Sequence, residues 1–409
     1  MSPKILFVIQ NNSFPFDQRV YNETKSLFDN GFDVTVYCPK TNSSEKAKEV
    51  IDGIKVYRYK NLESSGNLTG YCKEYLYSIL RIYFFVIKFS LTHKLAAVHF
   101  SNPPDFFWPL KPFLRLLGIK FVYDQHDIFP EMFKLQYSKK LIYKFLIFNE
   151  KITFKLADGI IFPNNSFRKR AHEFCKLDKK ITETVINGPR QEFVPTKNQS
   201  LIENYVNDKI VLYIGLMGEA DGIENIIELS EKININAGRK DVKFILVGDG
   251  PVRNKFEKLA NSKGLSDFII FTGLLDHKKV AEYLYLADVC IVPDPVNEIN
   301  EYMTLIKVLE YMKAEKSFVS FDLLETRNIV EENGVFAKDI DDFKDKLLYL
   351  VDNPEKSKQI GVLNKNIIEE KFLWKFSERR LVNFYFALLN LPGAKPIDKN
   401  RNNFVKLAN

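Results

Sequence analysis

Short apolar runs alternate with amphipathic stretches along this chain, stop at a cluster of turn residues near position 190, and then begin again. Residues 5–9 read as a buried strand, 19–30 as a helix stopped by Gly31, and 33–38 as the next strand. Further strand-like runs fall at 54–59, 97–100, 120–123 and 159–162. Past the turn residues 187–195, strands are predicted over 210–214, 244–247, 268–271, 289–292 and 317–320, with a helix over 223–236. Strands separated by helices imply βαβ units and parallel sheets. A chain of 409 residues is also too long for one ordinary core. The reading is therefore α/β, with two Rossmann-like doubly wound domains in series. The first spans 1–190, a linker 191–208, and the second 209–370; a helix over 371–390 packs back on the first domain, and 391–409 form a tail.

With 45% hydrophobic and 27% charged residues, the composition is that of a soluble globular protein. Cys38, Cys72, Cys175 and Cys290 are scattered without metal-site spacing, which fits a reducing compartment and argues against disulfides or structural zinc. The run over 5–9 is too short for a signal peptide, so a cytoplasmic location is expected. Residues 1–200 carry 30 Lys and Arg against 19 Asp and Glu, whereas the remainder holds 29 against 33. The basic first half calls for an anionic partner. Nucleic acid is not expected, because no zinc finger, RNA-binding aromatic signature or basic zipper is present. Clusters mixing aromatic and basic residues at 75–89, 106–117 and 139–148 suit an anionic membrane surface instead. Each uninterrupted apolar run falls short of the ~20 residues a span needs. Peripheral association with the inner face of the cell membrane is the expectation.

Several motifs stand in order along the chain. Phe16-Asp-Gln-Arg-Val20 follows the first strand, then come His99-Phe-Ser-Asn-Pro-Pro-Asp105 and Tyr123-Asp-Gln-His-Asp-Ile-Phe-Pro-Glu131. In the second half Gly215-Leu-Met-Gly218 precedes Asp221-Gly222, followed by Val247-Gly-Asp-Gly-Pro251, Phe271-Thr-Gly273 and Asn300-Glu-Tyr-Met-Thr-Leu-Ile-Lys-Val-Leu-Glu-Tyr-Met312. The ordered set resembles retaining glycosyltransferases of the GT-B fold, family four. It is most similar to a branch that transfers N-acetylated sugars in bacterial surface-polysaccharide assembly. That resemblance implies two domains facing across a cleft, a nucleotide-diphosphate sugar donor, UDP-linked, and a lipid-linked or polysaccharide acceptor.

Such a donor needs backbone N–H groups and a cation for its diphosphate and a carboxylate for its ribose. Gly215, Met217 and Gly218 lie where a glycine-rich strand-to-helix turn would meet the phosphates, and Gly248, Gly250, Thr272 and Gly273 end the next two strands. The resemblance places Glu310 on the ribose diol as the second acid of an E-x₇-E pattern, with Tyr302 in place of the first acid and Met303-Thr304 where Ser-Thr is usual. The resemblance makes Thr304 a further candidate for donor contact. Leu216 and Asp221 stand where relatives carry Arg and Lys, so Lys307, three residues before Glu310 on one helical face, is the substitute countercharge. His126 and Asp127, after the strand over 120–123, are the catalytic candidates beside Lys307, and Arg19 is a candidate for the diphosphate or the acceptor, or for pairing with a neighbour. Glu131 reads as a loop or cap residue.

No Asp-x-Asp ends a strand, and Asp339-Ile-Asp341 reads as a helix cap, so metal-independent transfer without a cofactor is expected. No protein nucleophile is evident, and retention is expected from same-face attack by the acceptor hydroxyl. Two alternatives use the same fold: a sugar-nucleotide epimerase, and a non-catalytic nucleotide-sugar-binding partner subunit.

Overall fold

The structure, a computed structural model, describes residues 2–62, 68–137, 139–177, 180–190 and 193–393. It divides into two compact units, Met1–Asn187 with the segment from Phe376, and Gly188–Lys375.

The first unit is built on eight strands: β1 (Lys4–Val8), β2 (Asp33–Lys40), β3 (Lys48–Ile51), β4 (Ile54–Lys60), β5 (Ala97–Ser101), β6 (Lys120–Asp124), β7 (Gly159–Phe162) and β8 (Ile181–Thr184). Their order is β3-β4-β2-β1-β5-β6-β7-β8, parallel except for β3, which pairs antiparallel with β4. Ile5, Leu6, Phe7 and Val8 are wholly buried, as a central strand covered on both faces requires. The order reverses between β1 and β5, so residues beyond their C-terminal ends lie where ligands bind such sheets. From the C-terminal helix Trp374–Leu388, Tyr385 stacks on His99 and Phe384 lies so close that a Cβ at Gly159 would meet its ring at 2.6 Å.

The helix Leu68–Thr92 lies on this unit with Ile82 and Val86 buried and Phe85 stacked on Tyr37 at 3.8 Å between ring centroids. Its outward residues Leu76, Leu80, Phe84 and Leu91 are each at least 60% exposed. Over Thr69–Thr92 it is long and apolar enough to cross a membrane, contrary to the expectation from the runs broken by Arg81 and Lys88. The difference is physical: two cations spaced along a helix do not end it, and the helix continues where the apolar run stops.

The second unit holds β9 (Lys209–Ile214), β10 (Val242–Val247), β11 (Ile269–Gly273), β12 (Val289–Val292), β13 (Phe318–Phe321) and β14 (Val335–Ala337). These form an all-parallel sheet, β11-β10-β9-β12-β13-β14, reversing between β9 and β12. Its core gathers Val211, Tyr213, Phe244 and Leu246 from the strands with Ile226, Ile227 and Leu347 from the covering helices. The segment read as a linker carries a short helix, Gln199–Asn204, in this same unit. Asn198 caps it by accepting from the Leu201 N–H at 3.2 Å and ties it to Glu282 through its amide at 2.8 Å. A polar helix of six residues has too little apolar periodicity to be read from sequence. Positions 191 and 192, and the tail from 394, lie outside the described residues.

Candidate active site

In the second unit the sequence candidates converge on the reversal between β9 and β12. Gly215, Met217 and Gly218 follow β9, and Asp294 follows β12 with a buried carboxylate. The helix Ile306–Lys313 is locked in place by the Tyr311 hydroxyl, which accepts from the Ile214 N–H at 2.9 Å and donates to the Ile291 carbonyl at 3.3 Å. That lock brings Lys307 to the β9 turn. Its buried ammonium contacts both oxygens of Asp294 at 2.8 and 2.9 Å, lies 3.9 Å from Asp221, and sits 4.7 Å above the Tyr213 ring. Lys307, read from sequence as a diphosphate countercharge, is here shared between two carboxylates, and Asp294 is the partner the sequence reading missed.

The glycine turns are packed backbone to backbone. A Cβ at Gly250 would lie 2.4 Å from the Met217 carbonyl oxygen, and one at Gly248 would lie 1.9 Å from that of Gly215. No side chain fits either place. The N–H groups expected to cradle phosphate are consequently engaged: Gly215 donates to Val247, Met217 to Asp249, and Gly248 to Gly273. Gly218 donates to the Asp221 carboxylate at 2.8 Å, and Gly250 to that of Asp249 at 2.8 Å. An aspartate therefore occupies the turn where an anionic ligand was expected. Burial raises its pKa, partly offset by Lys307. The Thr272 hydroxyl is turned to the Leu246 and Gly273 carbonyls, and Thr304 is half-buried just ahead of the Lys307 helix.

Glu310 differs from its neighbours. Its half-buried side chain has no hydrogen bond or ion pair among the described residues, and burial pushes its carboxyl up to about 7. A carboxylate kept partly dry without a partner is poised to accept hydrogen bonds from a diol. Two further residues bear on this edge. Asn300 donates to the Ala220 and Pro295 carbonyls at 3.0 and 2.9 Å, tying the β9 turn to the segment beyond β12. Arg253 reaches the end of β11, where a Cβ at Gly273 would lie 3.2 Å from its Nη1. Its nearest carboxylates, Asp249 and Glu257, are 3.9 and 3.8 Å away. Its place three residues after Gly250 is the signal that could have found it.

In the first unit the candidates meet at the ends of β5 and β6. Asp124, buried at the end of β6, takes the Arg19 guanidinium at 3.2 and 2.7 Å and His126 Nε2 at 2.5 Å. Burial opposes its charge, but Arg19 and then His126 hold it well below the usual carboxylate range. Burial likewise opposes a charged His126, yet Asp124 outweighs it and raises the imidazole's pKa. Arg19 also donates to the Val185 carbonyl at 2.5 Å and lies 3.2 Å from Glu23. Of the roles open to Arg19, the structure shows the pairing with neighbours: its guanidinium is buried inside this unit against Asp124 and Glu23. Glu23, His99 and Asp124 hold potential metal-ligand atoms within 4.8 Å of one another, but a cation there would have to displace Arg19 from Asp124.

The turn after β6 is held by Asn102, another residue given no role by the sequence. Its side-chain oxygen accepts from the N–H groups of His126 and Asp127 at 2.5 and 3.1 Å, and its amide donates to the Asp127 carbonyl at 2.9 Å. The Asp127 carboxylate has no partner among the described residues, and burial raises its pKa. Glu131 pairs with Arg170 at 2.6 Å and belongs to the scaffold.

Residues 17–188 match the family described as Glycosyltransferase Family 4, and residues 208–353 match Glycosyl transferases group 1. The glycosyltransferase MJ1069 of Methanocaldococcus jannaschii is 24% identical over 371 residues, covering 88% of this chain and 92% of that protein. The alpha-D-kanosaminyltransferase of Streptomyces kanamyceticus is 29% identical over 150 residues, 36% of this chain and 37% of that enzyme. Among solved structures, Anabaena HepE in complex with UDP superposes with a TM-score of 0.68 at 14% identity, covering 94% of this chain and all of that one. With a family-four domain in its first half and a group 1 domain in its second, the chain is a glycosyltransferase of the two-domain GT-B fold.

Proposed function

We propose that the chain moves a sugar, with retention at the anomeric carbon, from a UDP-linked donor to a lipid-linked or polysaccharide acceptor in cell-surface glycan assembly. One observation carries the donor reading: Glu310, without a partner, sits one turn from Lys307 at the reversal between β9 and β12. A ribose diol donating to Glu310 would leave the diphosphate to Lys307 and to Arg253. Donor binding then requires Lys307 to trade part of its contact with Asp294 and Asp221 for phosphate oxygens. HepE, similar in fold, is a complex with UDP, which supports a nucleotide-sugar donor. The epimerase and non-catalytic alternatives draw no support from relatives that are transferases by name.

In the first unit, Asp127 is the group that would accept a proton from an acceptor hydroxyl, with His126, fixed by Asp124, beside it as a hydrogen-bond donor. The departing diphosphate is stabilised by Lys307 without a metal ion. The protein works at an anionic membrane surface on the cytoplasmic side, met by the exposed face of the helix Leu68–Thr92 and the surrounding lysines. A panel of nucleotide sugars in a thermal-shift assay with EDTA tests the donor reading. Stabilisation by UDP-sugars, lost in Glu310→Gln, is expected; indifference to every UDP-sugar contradicts it. Lys307→Ala should lower kcat/KM by the equivalent of ~2–4 kcal/mol, as for loss of one electrostatic donor.

A further inference from the structure

The turn between β9 and the helix Ile223–Ser230 is pinned along its length. The Met217 N–H donates to the Asp249 carbonyl at 3.0 Å, and the Ala220 carbonyl accepts from the Asn300 amide at 3.0 Å. Gly222, at φ +70°, packs so closely on the residue after β12 that a Cβ would meet the Pro293 carbonyl oxygen at 2.0 Å. A backbone fixed at these points leaves the side chains as the movable parts of the turn. Asp221 is the one that matters for charge. Its Oδ2 accepts from the Gly218 N–H at 2.8 Å, and its Oδ1 lies 3.9 Å from the Lys307 ammonium. Asp294 holds the same ammonium at 2.8 and 2.9 Å. With both carboxylates ionised the cluster has one negative charge in excess, so a diphosphate brought to Lys307 meets repulsion. One carboxylate has to give way, and the geometry decides which. The Asp294 side chain is 2% exposed and sits on Lys307 with both oxygens, whereas that of Asp221 is 24% exposed and more distant. Asp221 needs only a side-chain rotation to reach water. A phosphate oxygen is its natural replacement, since it accepts the same N–H and pairs with the same ammonium.

We propose that Asp221 is an internal competitor for the donor diphosphate, yielding the Gly218 N–H and its side of Lys307 when the diphosphate enters and retaking both when UDP leaves. The proposal rests on the reading of Lys307 as the donor countercharge and adds the residue that sets how tightly the diphosphate is held there. The test is calorimetric titration of the full chain, in EDTA, with UDP, uridine and inorganic pyrophosphate. Wild type is compared with Asp221→Asn, Asp221→Ala and Glu219→Gln. Asp221→Asn keeps an oxygen for the Gly218 N–H and removes the charge. It should tighten UDP and pyrophosphate roughly tenfold, the order expected for removing one like charge from a partly exposed site, and leave uridine unchanged. Asp221→Ala also frees the N–H and should tighten both at least as much. Glu219, in the same turn but 74% exposed and 3.5 Å from Lys255, is the control for charge at large. Glu219→Gln should change UDP affinity less than about twofold, as expected of a solvated charge.

UDP affinity unchanged or weakened in both Asp221 variants overturns the proposal and leaves the donor reading standing. A gain that Glu219→Gln matches also overturns it, assigning the effect to surface charge. So does a gain that uridine shares, which would mean a reshaped pocket. If pyrophosphate binds the Asp221 variants more tightly while neither UDP nor uridine binds any of the proteins, Asp221 stands as the competitor and the UDP-donor reading falls. Binding of neither UDP nor pyrophosphate to wild type and variants alike overturns both.

Discussion

Glu310 and Arg19 show how differently two candidate side chains can fare. Glu310 keeps a half-buried, unpartnered carboxyl, so its protonation should be linked to donor binding. With its value near 7, the apo group is partly protonated at neutral pH, and a ribose diol requires the ionised form. UDP-sugar affinity should therefore rise as pH increases from 6 to 8 and level off above. Glu310→Gln should flatten that rise and weaken binding by ~1.5–3 kcal/mol, the range for a hydrogen bond to a charged group. A pH series of calorimetric titrations reads both effects. The same shift has a stability sign. A carboxyl raised on folding favours the fold at low pH, and that contribution is lost as pH climbs from about 4.5 to about 7. Arg19 is the opposite case, its charge consumed by Asp124 and Glu23. Arg19→Ala leaves buried carboxylates unpaired, which typically costs ~3–5 kcal/mol and should lower Tm by roughly 10 °C. Thermal melts should show that loss, with UDP affinity unchanged below the melting range.

At the scale of elements, the strands were the most legible part. Buried parallel strands are continuous apolar runs, and the runs at 210–214 and 289–292 match β9 and β12 closely. The edge strands β3, β8 and β14 were not readable, being three or four residues long, with β3 and β8 only partly apolar. The helix carrying Lys307 and Glu310 was placed by motif, and the structure brings Lys307 to the β9 turn. Asp294 escaped because an aspartate just after a strand looks like any turn residue until a lysine folds against it. The glycine turns stand at the strand ends where the sequence reads them, and there they pack backbone to backbone. Glycine spacing reveals close backbone approach, yet not whether the approaching partner is a ligand or another glycine turn. Asn102 likewise gave no signal, because its role lies in bonds to a turn more than twenty residues away. Asn102→Ala should free that turn, costing ~1–3 kcal/mol in stability and lowering kcat with little effect on donor KM. An equal fall in donor affinity would contradict its assignment to the acceptor side.

For the molecule as a whole, charge and apolar exposure coincide on the first unit. The excess of basic residues falls in 1–200, and Leu76, Phe84, Leu141 and Phe148 are exposed there. Each Lys or Arg near an anionic bilayer contributes ~1 kcal/mol, screened by salt. Flotation with anionic vesicles should recover the protein at low salt and release it progressively as salt is raised. Absence from vesicles at low salt would leave the exposed helix face without a membrane role. Turnover should also survive EDTA, and activity restored only by magnesium or manganese would reveal a metal site among these carboxylates. The central claim is retaining transfer from a UDP-sugar through the Glu310–Lys307 edge. The most direct test follows a panel of UDP-α-linked sugars by proton NMR during turnover, with wild-type protein and with Lys307→Ala. Release of UDP with an α-configured product is expected, slowed at least thirtyfold in the variant. A β-configured product, an epimerised UDP-sugar, or an equally active variant would contradict it.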